Sequence, residues 1–149
     1  MKRKIWTDII CILFIILFVY AAFNKLFTRP LFAAQMRKAH LLEAISEPLS
    51  YIVPLVELVI AVLLISTKHK LKALYAATGL MALFTIYIIA ILFINKETPC
   101  GCGGIIQALN WPQHIILNIS YVILGLTGIR FLVKDNDNTI VRDTSNLAV

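Results

Sequence analysis

Four stretches of the chain lose their polar positions and stay apolar for the length of a bilayer crossing. They run from Ile5 to Phe23, Leu49 to Ser66, Ala73 to Ile94 and Ile115 to Val133. A spanning helix needs about 20 such residues. The interruptions are few: Asp8 in the first, Pro54 and Glu57 in the second, Arg130 near the end of the fourth, and no charge in the third. None of the four alternates with period two, so barrel strands are not indicated. In hydrocarbon every backbone N–H and C=O must be satisfied internally, and for such segments that leaves helices. The predicted fold class is an all-α integral membrane protein, a four-transmembrane-helix bundle. Between the first two spans, Phe32, Met36, Ala39, Leu42 and Ile45 recur at helical spacing while Arg37, Lys38 and His40 take other positions. That pattern predicts a short amphipathic surface segment lying at the outer membrane face; a plain packed loop is the alternative. Residues 134–149 are rich in Asp, Asn and Thr and are expected to form a mobile polar tail. No internal repeat or second domain appears, so 1–149 is read as one membrane domain.

Composition strengthens this and adds a direction. Of 149 residues, 60% are apolar or aromatic and 15% charged, against about 45–50% and 25% in ordinary soluble domains. A soluble globular enzyme, a disordered chain and a nucleic-acid binder are excluded, and the lipid bilayer is the expected surroundings. The formal charge of +6 then bears on orientation. Lys2, Arg3, Lys4, Lys68, Lys70, Lys72, Arg130, Lys134 and Arg142 fall on one side, nine in all; Lys25, Arg29, Arg37, Lys38 and Lys96 fall on the other, five in all. The positive-inside rule places both termini in the cytoplasm and the connection between the third and fourth spans outside, in an inner (cytoplasmic) membrane. Lys2-Arg3-Lys4 followed by an apolar run also resembles a cleaved leader, with Val19-Tyr20-Ala21 offering a small residue. The full span length and the polar residues at its far end favour a retained helix.

The external connection carries the most specific local feature, Pro99-Cys100-Gly101-Cys102-Gly103-Gly104. A disulfide wants Cα atoms roughly 4.4–6.8 Å apart, near the limit for residues i and i+2 of an extended chain, so a bridge here needs a bend. Gly101, Gly103 and Gly104 make that bend cheap. So small a ring stabilises little through loop entropy. Its expected value is chemical, since strained, exposed disulfides are the exchangeable ones, and the outer compartment is where disulfides persist. A soft-metal site is the rival, but a closed zinc site needs four ligands and His114 alone lies near as a third; no metal is assigned. A structural turn is the remaining reading. Cys11, among Ile and Leu, reads as an inert small apolar residue.

At these residues the sequence resembles the MauE family (methylamine utilisation) within the wider DoxX-like group of four-helix membrane proteins. Ala21-Ala22-Phe23-Asn24-Lys25-Leu26 is similar to that group's first-helix ending, and Ile52-Val53-Pro54-Leu55-Val56-Glu57-Leu58 to its Pro-x-x-Glu second helix. Cys100-Gly101-Cys102-Gly103-Gly104 with Trp111, His114 and Asn118 is similar to the MauE-type loop and fourth-helix opening. The resemblance implies a redox-associated membrane protein that helps mature disulfide-containing exported proteins, with a separate thioredoxin-like partner. It says nothing specific about methylamine.

Intramembrane ionisable residues are functional candidates by default. Glu57, eight residues in from Leu49, lies roughly 12 Å below the outer surface at 1.5 Å per residue. Asn24 and Lys25 close the first span on that side, and His114 and Asn118, four apart, share one face of the fourth. The expected site is therefore Cys100, Cys102 and His114, supported by Glu57, Lys25, Asn24 and Asn118, with Glu57 paired to Lys25 or His114. Lys25 snorkelling to the headgroups, Trp111 as an interface anchor and His114 as a solvated cap are the bland readings. Two functions fit. One is thiol–disulfide exchange with an exported partner, with quinone as a candidate cofactor by analogy with quinone-coupled disulfide-forming membrane proteins. The other is a non-enzymatic docking or chaperone subunit in which the Cys-x-Cys loop is structural.

Overall fold

A computed structural model describes residues 2–38, 43–94 and 111–147. Helix α1 spans Lys2–Phe27, α2 Arg29–Lys38, α3 Ser46–Ile65, α4 Lys70–Ile94 and α5 Trp111–Leu147, and a 3₁₀ turn at Glu43–Ile45 precedes α3. Four of these, over Lys4–Phe27, Ser46–Ile65, Lys70–Phe93 and Gln113–Asp135, are long and apolar enough to cross a membrane. The observed helices outrun the apolar stretches because flanking polar residues continue the same hydrogen-bond ladder. The polar tail continues α5 as helix to Leu147.

Local chemistry explains the breaks. The Thr28 hydroxyl and amide both engage the Asn24 carbonyl, at 2.8 and 2.9 Å, closing α1. Pro30 follows in the first turn of α2, where a missing N–H costs nothing. The α3–α4 reversal is tight, with Ser66 N–H donating to Leu63 O at 3.2 Å and His69 N–H to Ser66 O at 3.3 Å. Pro54 sits inside α3 and withholds the bond that the Ser50 carbonyl would accept.

The spanning helices close a ring in the order α1–α3–α4–α5, with α2 laid against α3 and, more lightly, α1. The centre is tightly packed. Phe14 is fully buried and meets Phe18 and Tyr121 edge-on, at centroid distances of 5.8 and 5.2 Å. Leu64, Leu74, Ala77 and Met81 complete the layer. The outward face is just as apolar, with Ile16, Leu55, Val62, Ile86 and Ile123 exposed, as expected when the solvent is lipid. Hydroxyls are satisfied within their own helices: Thr78, Thr85, Ser120 and Thr127 each donate to the carbonyl four residues earlier, at 2.7–2.8 Å.

Two glycines set the α4–α5 distance. A Cβ on Gly125 would overlap the Thr78 hydroxyl, and one on Gly128 would lie 2.9 Å from Leu74 Cδ2. Gly79 has open space on its side. Close approach through small residues is a device of membrane helices, where lipid offers no drive for apolar surfaces to cluster.

Candidate functional site: a cavity built on a buried ion pair

Lys25, in the last turns of α1, does not reach outward to the headgroups. Its ammonium turns into the bundle and lies 2.5 Å from Glu57 Oε1 on α3. The carboxylate side chain is 1% exposed and the lysine 16%. The same ammonium sits over two rings, Phe84 of α4 at 5.3 Å and Phe32 of α2 at 5.9 Å from their centroids. One cation thus ties four helices together. Glu57 is eleven residues beyond the start of α3.

This pair lines a cavity of about 370 Å³. His114 and Asn118 from one face of α5, and Tyr87 from α4, complete its polar fringe, and Leu, Ile, Val, Phe, Met and Ala side chains form the rest. Asn118 is buried and His114 half-buried. The rim includes Ile45 and Leu83, both exposed, so the cavity is partly open. Phe32 and Met36, read as the apolar face of a surface segment, are directed at the bundle and line the cavity, with Ala33 buried beside them. Arg29 bonds the Tyr51 hydroxyl and stacks on its ring at 4.4 Å, and Arg37 pairs with Glu47 at 3.1 Å, so α2 is held over the start of α3.

Of the residues expected at the site, Lys25, Glu57, His114 and Asn118 are thus brought together. Glu57 takes Lys25, not His114, as its ionic partner. Asn24, next to Lys25 in the chain, has its Nδ2 buried without a hydrogen-bond partner among the described residues, as has Glu57 at Oε2. Pro99, Cys100, Gly101, Cys102, Gly103 and Gly104 lie outside the described residues, within the connection that joins α4 to α5 at the cavity end. Cys11 is buried in the central layer. Among the described residues, no group of three His, Cys, Asp or Glu side chains converges as a metal site would require.

The family model described as Methylamine utilisation protein MauE matches residues 3–131. The chain belongs to the MauE family. No curated protein and no solved structure matches it significantly. The matched range takes in every residue that lines the cavity, α1 and α3 supplying the ion pair and α5 the His114–Asn118 face.

Sequence reasoning missed three features of this MauE chain. Phe84 and Phe32 flank the Lys25 ammonium, and helical spacing alone could not separate them from lipid-facing phenylalanines. At the opposite end, Lys70 pairs with Asp8 at 2.6 Å. The signal for that pair was present, because an acid one turn or so into a first span and a base opening the third lie at one depth. A second, polar hollow of about 360 Å³ surrounds it, lined by Lys4, Asp8, Lys68, Lys70 and Asp135 among others.

Proposed function

We propose that this MauE-family protein performs thiol–disulfide exchange through Cys100 and Cys102 with a thioredoxin-like or disulfide-containing exported partner. The observation that carries the reading is the gathering of Lys25, Glu57, His114 and Asn118 at the end of the bundle where the Cys-x-Cys connection joins α4 to α5. Both termini lie in the cytoplasm in this reading, and the connection faces the periplasm of a cell whose inner membrane holds the bundle. A partner thiolate attacks one sulfur of the Cys100–Cys102 disulfide, forming a mixed disulfide and expelling the other cysteine as thiolate. The partner's second thiolate then breaks the mixed bond. Two electrons and two protons pass to the pair, and the reverse sequence reduces the partner instead. The lower-pKa thiol leaves more readily, and in this reading His114 at the opening of α5 exchanges its proton. Return to the disulfide takes a two-electron acceptor, a role that a membrane quinone fills by its chemistry.

The test is trapping in cells with acid quench and alkylation. Cys100→Ser and Cys102→Ser should each change the redox state of the remaining thiol, and one of them should accumulate a mixed disulfide with an exported protein. If the pair stays oxidised throughout and Cys100→Ser leaves partner maturation intact, the loop is a structural clip and the protein a docking subunit. Periplasmic labelling of a tag within 95–110 checks the orientation; labelling solely after permeabilisation would refute it.

A further inference from the structure

The cavity beside the ion pair has a chemical requirement that the described residues do not meet. Glu57 Oε1 receives the Lys25 ammonium, but Oε2 has no hydrogen-bond partner among the described residues, although the side chain is 99% withdrawn from solvent. A buried carboxylate oxygen left unpaired is expensive, and this one belongs to a residue lining an otherwise apolar cavity with a partly open rim at Ile45 and Leu83. We propose that the cavity binds an uncharged lipophile whose head group donates a hydroxyl hydrogen bond to Glu57.

Each part of that description follows from the site. The head must donate, because an ionised carboxylate only accepts. It must be neutral, since Lys25 and Glu57 cancel; an anionic head would meet the carboxylate, and a cationic head would meet the ammonium. The body must be apolar, because the walls away from the pair are Leu17, Phe18, Val53, Leu80 and their like. The volume of about 370 Å³ is more than twice that of an apolar cavity known to accept benzene, about 150 Å³, so one ring and the first units of a tail fit. Two membrane sources share this chemistry, a long-tailed hydroquinone and a lipid alcohol. The inference does not require the thiol chemistry and goes beyond it, for it concerns a ligand site lined by all five helices.

Binding of three probes to the purified full-length protein in lipid nanodiscs tests it: a decyl-substituted hydroquinone, its dimethyl ether and a long-chain primary alcohol. The ether keeps the ring and tail and loses the donor. The hydroquinone should bind about tenfold to a hundredfold more tightly than the ether, the range for a hydrogen bond to a charged acceptor. Glu57→Gln should shrink that ratio to within about threefold, on the same scale. Because Glu57→Gln also disturbs the ion pair, Leu83→Trp at the exposed rim is the second variant; it should weaken all donor-headed probes at least tenfold by filling the mouth of the cavity they occupy. Hydroquinone tighter than the alcohol identifies a quinol site, and equal binding identifies a lipid-alcohol site; either supports the inference. Equal binding of the ether and hydroquinone to wild type, no saturable binding of any probe (a cavity holding water alone), or unimpaired binding to Leu83→Trp overturns it. Thiol trapping in the same variants reads the exchange function separately, so loss of one activity is distinguishable from loss of the other.

Discussion

Replacing Lys25 by Met keeps the length and apolar stem of the side chain and removes its charge, leaving Glu57 alone inside the bundle. At 2.5 Å and an effective dielectric constant of about 20, the pair's gross attraction is on the order of 6–7 kcal/mol. Desolvation of each ion costs several kcal/mol and offsets most of this, so the intact pair contributes little net stability. Removing one partner is different: the attraction vanishes while the remaining charge keeps its desolvation cost, a loss of about 3–5 kcal/mol. The ammonium's contacts with Phe84 and Phe32 add about 0.5–1 kcal/mol. In a bilayer the unfolded helices find other polar partners, which pulls the total towards the lower end. We therefore expect Lys25→Met to destabilise the bundle by about 3 kcal/mol, a hundredfold or more in the unfolding equilibrium. Lys25→Met/Glu57→Gln should recover at least half of that loss. Reversible detergent-driven unfolding in bicelles, run on wild type, both singles and the double, closes the cycle. A Lys25→Met loss below about 1 kcal/mol, the scale of an exposed pair, or a double mutant as unstable as the sum of its singles, would refute the reasoning.

Asp8→Asn should cost under about 1 kcal/mol in the same assay, because the Asp8 side chain is 42% exposed and solvent screens its bond to Lys70. Gly125→Ala should destabilise by about 1–3 kcal/mol through overpacking against Thr78, with Thr78→Ala restoring part of it. Gly79→Ala, placed in open space, should instead stabilise α4 by about 0.5–1 kcal/mol. Phe14→Ala should cost about 2 kcal/mol, since in lipid the transfer contribution is lost and the cavity contribution remains, about 24 cal/mol per Å³ over a void on the order of 100 Å³. Equal effects at Gly125 and Gly79 would show that α4 and α5 do not approach as described.

The spans were legible because lipid imposes a length and forbids unpaired backbone, and both constraints are written in consecutive residues. Glu57 was legible as a residue that must find a partner, and Lys25 as one of two candidates, because intramembrane charges are rare and costly. What could not be read was direction. The helical recurrence of Phe32 and Met36 is compatible with lipid on one side or a cavity on the other, and the choice is made by neighbours that are remote in the chain, Lys25 and Glu57. The three span glycines look alike in sequence; facing Thr78, Leu74 or nothing distinguishes them, and helix rotation decides which. The apolar composition of α4 is nearly uniform around its circumference, with Leu83 and Ile86 exposed and Leu74 and Ala77 buried, so no pattern fixed that rotation.

The two ion pairs of α1 also constrain how the chain is assembled. Its partners at Asp8 and Lys25 are Lys70 at the start of α4 and Glu57 within α3, both of which follow α1 in the chain. Without them Lys25 is left unpaired, a charge that hydrocarbon penalises by up to roughly 2.5–3.5 kcal/mol, whereas Asp8 stays close to solvent. Firm retention of α1 in the bilayer is therefore expected to depend on the helices that follow it. A nascent chain truncated before α3 should remain extractable by alkali, while one extended past Lys70 should not. The two pairs thus make the stability of α1 in lipid a property of the assembled bundle rather than of the helix alone.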